Sequence, residues 1–476
     1  MVVDDQANNS KGKVEELDLV EVERRIEESI REIARLETPR GLERVGASLL
    51  LFNYAVSFLR VQDLPGLSWI GGIKFPAIIA TVVGLLWLCR ARKNPSPEGK
   101  MLIIFLSVET IRLIIGKFFD PQDTFVRNDF WQFQTIKDLL MQFSGLALPA
   151  IVFLPYRRYL GKFVVYSVWL GGFLGLWSVT HAGRGPGGFL GDENDFCLAL
   201  LYFMGFAVAG WKVMRGGMGK AINIFFVFLI LAGIIATESR GGFLGLVALC
   251  GTALFQSRYK MRVLAALFVF VLIVLPFIPH QYVREVESIK SDFSEQESTI
   301  TERLETWKLA LKVWLDPPHI LTGVGLQNTQ WWFPNYEPPD RVIRTRSLAG
   351  RATHSMYFQV LGDLGVWGIV VFFVTVGGAY LGNRRTRKEI GKTYQALNNI
   401  HTVDGKQIEL LYPILGEIAY LDYLIYATNC AWVAVLVAGI GISVLYYPPI
   451  WTLLGFSVAL RWYWQKLFRA IEPIVQ

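Results

Sequence analysis

Apolar runs as long as a lipid bilayer is thick recur along this chain, near residues 45–62, 75–91, 101–118, 134–155, 159–179, 193–213, 220–238, 242–257, 261–278, 354–382, 419–446 and 448–465. A helix needs roughly 17–25 apolar residues to cross the hydrocarbon layer, and backbone at that depth must satisfy its own hydrogen bonds. With 53% hydrophobic and 18% charged residues, the chain has too little polar side chain to keep so many apolar helices in water. The expectation is an all-α polytopic membrane protein with about twelve transmembrane helices. The four cysteines, Cys89, Cys197, Cys250 and Cys430, lie inside apolar runs, where a thiol behaves as a small hydrophobe. Neither a disulfide framework, a metal site nor a cofactor is expected.

Lys and Arg in the connections set orientation. Alternate connections are basic: Arg90, Arg92, Lys93 and Lys100; Arg157, Arg158 and Lys162; Lys212, Arg215 and Lys220; Arg258, Lys260 and Arg262; and "NRRTRKE" from Asn383. The others, such as "QDLPGLSWIGG" and "HAGRGPGGFLGDEN", are nearly free of them. The basic set is expected to face the cytoplasm with both termini, which accounts for the net charge of +7 without invoking nucleic acid. No short apolar run with a cleavage site opens the chain, so insertion is expected to use the internal helices.

The layout follows: a cytoplasmic amphipathic segment at 1–44, nine helices in 45–278, an outer loop at 279–353 with a helix near 299–316, a tenth helix at 354–382, a cytoplasmic loop at 383–418, and two last helices and a tail at 419–476. Within the first segment, Val22, Ile26, Ile30, Ile33 and Leu36 share one side of a charged helix.

Unusual residues gather on the outer side. In "THAGRGPGGFLGDENDF", Arg184 stands among five glycines. Such backbone can approach a ligand and bind anions; equally, the stretch reads as a tight turn with Asp192 or Asn194 capping the next helix. In "TESRGGFLGL", Arg240 has almost no loop around it. An arginine within a bilayer costs roughly 2.5–3.5 kcal/mol or more, so it snorkels, pairs (with Glu238, for example) or functions.

"TITERLETWKLALKVWLDPPH" reads as an outer amphipathic helix. Thr299 and Glu302 fit a capping box, Leu304, Trp307, Leu311 and Trp314 form an apolar stripe, and Pro317-Pro318 ends it. Arg303 then falls in the first turn, where the dipole disfavours a cation, so a carboxylate or a bound anion is expected beside it. In "RATHSMYFQV", His354 begins an apolar helix beside Arg351. A helix N-terminus favours the neutral imidazole that a general base requires; His181, His280, His319 and His401 read as structural. Glu109 and Arg112 are spaced to neutralise each other, and Lys137 beside Asp138 is a further candidate for phosphate.

An arginine-rich outer pocket with one neutral histidine suits a lipid-attached anion. Arginine forks hold a diphosphate without a metal, and a histidine of ordinary pKa about 6.5 can take a proton from an attacking hydroxyl. These parts fit glycosyl transfer from a lipid diphosphate.

"ESRGGFLGL", "RLETWKLAL…DPPHILTGVGLQN" and "THSMYFQVLGDLGVWG" occur in an order that resembles the O-antigen ligase and polymerase superfamily, with "GRGPGGFLGDENDF" similar to its Gly-rich turn. The late "GIGISVLYYPPIWTLLG" is similar to the exosortase-associated O-glycosylation ligase branch. The resemblance implies a membrane-embedded glycosyltransferase of the C type, inverting and metal-independent, in the bacterial inner membrane. Its partners would be a glycan on undecaprenyl diphosphate as donor and a glycan, lipid or protein hydroxyl as acceptor, at the periplasmic face, in building lipopolysaccharide or another envelope polysaccharide. It further implies His354 as base and Arg240 and Arg303 on the donor diphosphate, with Arg184 and Arg351 as secondary contacts. Ser355 departs from the His-Asn pair of many members, which leaves the acceptor open. The alternatives are a polysaccharide polymerase, a protein O-oligosaccharyltransferase and, in a different class, a small-anion transporter.

Overall fold

The computed structural model describes residues 21–67, 69, 74–90, 96–119, 129–274, 299–338, 347–402 and 409–475. Those residues are helical with turns and loops, and no strand occurs among them. The helices are α1 (21–35), α2 (Gly41–Leu59), α3 (Phe75–Leu88), α4 (Pro97–Phe119) and α5, which runs Asp129–Gln142 and passes through a π turn into Leu148–Phe153. Next come α6 (Arg157–Thr180), α7 (Glu193–Val213), α8 (Gly216–Ala236), α9 (Arg240–Gln256), α10 (Lys260–Val274) and α11 (Thr299–Leu315). The last are α12, from Met356–Phe372 through a second π turn into Gly378–Thr402, then α13 (Tyr412–Ala438) and α14 (Pro448–Val475).

Among the described residues seven helices are long and apolar enough to cross a membrane, in α2, α5, α6, α7, α8, α12 and α13, with α3 and α9 apolar but shorter. The remaining expected spans fall on α4, α10 and α14. Helix α4 carries Glu98, Lys100, Glu109 and Arg112, and α14 is rich in Trp and Tyr and contains Arg461. One pair is matched closely within the bundle, Arg461 with Glu98 at 2.7 Å. Arg112 reaches Glu109 only at 3.9 Å and instead donates to the carbonyls of Thr322 and Gly323.

Packing relies on close backbone approach, as helices in lipid do. A Cβ on Gly175 of α6 would stand 2.3 Å from the Leu229 carbonyl oxygen of α8, and one on Gly205 of α7 would stand 2.3 Å from the Ala431 Cβ of α13. Helix α13 is buried along most of its length among α7, α9, α12 and α14.

That helix also defines two poles. Glu417 in its second turn receives Arg157, the first residue of α6, at 2.6 Å. Gly439, just past its end, accepts from the Met356 amide at 2.9 Å. At 1.5 Å per residue these points lie about 33 Å apart, a membrane's thickness. The basic connections meet at the Arg157 pole: Arg258 and Arg387 share Asp422, at 3.5 and 2.9 Å. Helix α1 joins them there, since the Arg157 amide donates to the Leu36 carbonyl and Arg25 donates to the Pro473 carbonyl of α14. The apolar side expected for α1 is the side that packs: Ile26 is buried and Val22, Ile30, Ile33 and Leu36 lie against the core.

Candidate functional site

The opposite pole collects the starts of α7, α9, α11 and α12, and polar bonds between their connections fix each relative to the next. Asp192 caps α7 by accepting from the Asn194 and Asp195 amides at 2.8 and 3.3 Å, as the capping alternative for the Gly-rich turn expects. The Asn194 side chain in turn accepts from the Ser239 hydroxyl at 2.8 Å, and Ser239 caps α9 through the Gly242 amide. Arg240 is thereby the first residue of α9, directly beside the Gly-rich turn.

Helix α11 is anchored to the approach to α12. Trp307 Nε1 donates to the Thr353 carbonyl at 2.9 Å, Thr306 Oγ1 lies 3.3 Å from the same oxygen, and the Trp307 ring stacks on Phe358 with centroids 5.0 Å apart. The expected stripe is rotated. Leu304 is exposed and Trp307, Leu311 and Trp314 are only partly covered, whereas Thr306, Leu309, Ala310 and Val313 are buried. The reason is the indole N–H, which needs an acceptor: Trp307 finds Thr353, and Trp314 finds the Ile320 carbonyl at 3.1 Å. Both tryptophans therefore sit at the margin of the buried face. Of the expected capping box, the Thr299 side chain lies outside the described residues, and Glu302 pairs with Arg351 at 3.4 Å.

His354 occupies a left-handed backbone conformation, φ 47°, between two buried neighbours, Thr353 and Ser355. Both are held by Ser443, whose hydroxyl lies 3.0 Å from Thr353 Oγ1 and accepts from the Ser355 amide at 3.2 Å. Positive φ is uncommon outside glycine, though histidine adopts it more readily than most residues, and here the bonds to Ser443 on both sides hold it. Burial, and next the Arg303 guanidinium, hold the imidazole below its ordinary pKa; Asp192 and Glu302 oppose this, and Arg351 adds to it. Near neutral pH the ring is therefore unprotonated.

Arg303 is shifted the same way by burial and by Arg240, against Asp192 and Glu302, and an arginine stays charged regardless. Its Nε is buried and donates to nothing among the described residues. The structure thus brings Arg240, Arg303, Arg351 and His354 into one electrostatic neighbourhood with Asp192 and Glu302. Arg184 stands at its edge, exposed and 3.5 Å from Glu193. Lys137 bonds to Gln134 and approaches Asp138 at 4.0 Å; it makes no described contact with His354 or the arginines.

Sequence reasoning missed Ser443 and Trp307 as the parts that hold the histidine, and Asp363 as the part that holds the loop below it. Asp363 is buried in α12 and accepts from the Gln327, Asn328 and Thr329 amides, from Thr329 Oγ1 and from the Tyr446 hydroxyl at 2.5–3.1 Å. The "GVGLQNT" segment is shaped around it: a Cβ on Gly323, at φ 63°, would meet the Asp363 carbonyl at 2.4 Å. A carboxylate inside an apolar run was the available signal.

A helical bundle with seven described helices long and apolar enough to cross a membrane thus carries an imidazole among arginines near the starts of four helices. Residues 225–373 match the family model for O-antigen ligase, and this segment belongs to the superfamily that the motifs resemble. Over that segment the chain is similar to O-antigen ligases. The match includes Arg240, Arg303, Arg351 and His354 and leaves Arg184 and Lys137 outside it. No curated protein matches the chain.

Proposed function

We propose that the protein transfers a glycan from a polyprenyl diphosphate, undecaprenyl diphosphate in a bacterial inner membrane, to an acceptor hydroxyl at the His354 pole. What carries this reading is an imidazole whose pKa is lowered by burial and by the half-buried Arg303, whose own buried Nε donates to nothing among the described residues. The acceptor oxygen attacks the anomeric carbon, the bond from that carbon to the diphosphate breaks, and the hydroxyl proton passes to His354. The negative charge that develops on the leaving diphosphate is stabilised by Arg240 and Arg303, with Arg351 and Arg184 toward the rim and Lys137 as a more distant charge at the same pole. Attack opposite the leaving group inverts the anomeric centre, and with arginines neutralising the diphosphate the reaction runs without a metal.

In this reading the basic pole faces the cytoplasm with both termini, the His354 pole faces the periplasm, and α3, α4, α9, α10 and α14 complete a bundle of about twelve spans of the C type. Ligation to a finished acceptor is favoured over polymerisation by the family description of the matched segment.

The test uses the purified protein with a polyprenyl-diphosphate glycan and candidate acceptors. His354→Ala should bind the donor and lose transfer, and wild-type transfer should survive EDTA. Full transfer by folded His354→Ala would overturn the base assignment, and loss in EDTA restored by a divalent ion would overturn the metal-independent mechanism.

A further inference from the structure

At the pole opposite His354, a cavity of about 720 Å³ opens between α1 and the ends of four spans. Its wall carries four cations, Arg157, Lys212, Arg215 and Lys220, against two carboxylates, Glu37 and Glu417. Arg157 is matched by Glu417 at 2.6 Å. Lys220 lies over the Trp211 ring at 5.0 Å, and neither it, Lys212 nor Arg215 has a salt bridge within 4 Å among the described residues.

The lining also includes apolar residues, Ile30, Ile33 and Ala34 from α1 and Pro413 and Ile414 at the start of α13. Four of the five glutamates of α1 are paired with arginines on their own helix, Glu21 with Arg24 and Arg25, Glu28 with Arg24, Glu27 with Arg31, and Glu32 with Arg35, and none of the five lines the cavity.

The cations come from the first residue of α6, the end of α7 and the beginning of α8, and the ends of spanning helices lie at the depth of lipid headgroups. A pocket there lined by both cations and aliphatic side chains matches a molecule with a phosphate at one end and hydrocarbon at the other.

We propose that this cavity binds the phosphate of an anionic phospholipid, with the acyl-proximal part against the Ile30–Ile33 side of α1. The site is separate from the transfer site and does not depend on that reading. Bound lipid would add to the apolar packing of α1 and to the backbone bonds from Arg157 and Arg158 to Leu36 and Glu37 that already hold it there.

The full-length protein in an uncharged detergent would be titrated with phosphatidylglycerol, phosphatidylcholine, sn-glycerol 3-phosphate and inorganic phosphate, reading bound lipid by native mass spectrometry and stability by thermal unfolding. Wild type should bind phosphatidylglycerol at least tenfold more tightly than phosphatidylcholine and gain thermal stability with it. Lys212→Gln/Arg215→Gln should lose about tenfold in that affinity, whereas Arg385→Gln, an exposed charge on α12 outside the cavity, should not. Unfolding of the lipid-free double variant at the wild-type temperature would show that the loss is one of binding. Equal binding of phosphatidylglycerol by the double variant and wild type would overturn the proposal. So would displacement of the lipid by inorganic phosphate or glycerol phosphate at equal concentration, which would assign the cavity to a soluble phosphate.

Discussion

Trp307 and Thr353 are joined by a hydrogen bond of 2.9 Å from the indole N–H to the carbonyl, and this bond sets where Arg303 stands relative to His354. Arg303 is one turn before Trp307 on α11, and residues four apart share a face. His354 is the residue after Thr353. Together with the Thr306 hydroxyl 3.3 Å from the same carbonyl and the Trp307–Phe358 stack, this bond carries the spacing between the half-buried arginine and the imidazole across the two segments.

Trp307→Phe should keep the stacking on Phe358 and delete the donor. The expected loss of stability is about 1 kcal/mol, small enough for the protein to fold. Transfer should suffer more, with kcat reduced about tenfold and donor affinity little changed, because the arginine remains but its register with the base loosens. Steady-state kinetics beside a thermal unfolding curve separates the two effects; an unaltered kcat would show that the tether does not set the geometry.

The lowered pKa of His354 fixes the direction of the pH profile. A base works when unprotonated, so the rate should stay level above pH 6.5 and fall as the pH drops below the histidine's depressed value. His354→Asn should remove the acid limb along with most of the activity. Asn accepts the left-handed backbone more readily than most residues, so this variant should fold and retain donor binding. An unchanged acid limb in His354→Asn would assign it to another group.

Arg303→Lys is expected to weaken donor binding by 10- to 100-fold, since an ammonium keeps the charge but not the planar fork that spans two phosphate oxygens. Lys137→Gln should change it less than about twofold, because Lys137 is engaged with Gln134 and Asp138 on its own helix. Binding isotherms with a polyprenyl diphosphate lacking the glycan would read this contrast without any turnover.

Much of this was legible before the structure because membrane helices write their length and polarity directly into the chain. The packed side of α1 and the Asp192 cap follow from local spacing and residue type, and the motifs singled out Arg240, Arg303, Arg351 and His354, which the structure brings into one electrostatic neighbourhood. The rotation of α11 did not, since its cause is a carbonyl at Thr353, forty-six positions away; periodicity counts a tryptophan as apolar and is blind to its N–H. Ser443 was illegible for the same reason, as one hydroxyl in an apolar loop gives no sign that it bonds residues on both sides of a histidine. The expected count of about twelve spans includes α4 and α14, and the pairing of Arg461 on α14 with Glu98 on α4, between residues far apart in the chain, could not be read from either helix alone.

Asp363 offers the sharpest separation of structure from chemistry. Its carboxylate closes the 323–329 loop beneath the site through three amides, a threonine hydroxyl and Tyr446, and it touches none of the arginines around His354. Asp363→Ala strands several buried donors at once, each costing about 1–3 kcal/mol, so the protein should lose at least about 3 kcal/mol of stability or fail to accumulate. Asp363→Asn keeps the size and one acceptor oxygen but turns the other position into a donor facing donors, so it should fold with a lower melting temperature. Because the loop supports α12 from its side rather than lining the arginine cluster, the folded fraction of Asp363→Asn should bind donor normally and keep the wild-type acid limb. Activity normalised to folded protein is the deciding measurement: a loss of more than about tenfold after that correction would mean that the buried carboxylate acts on the reaction as well as on the fold.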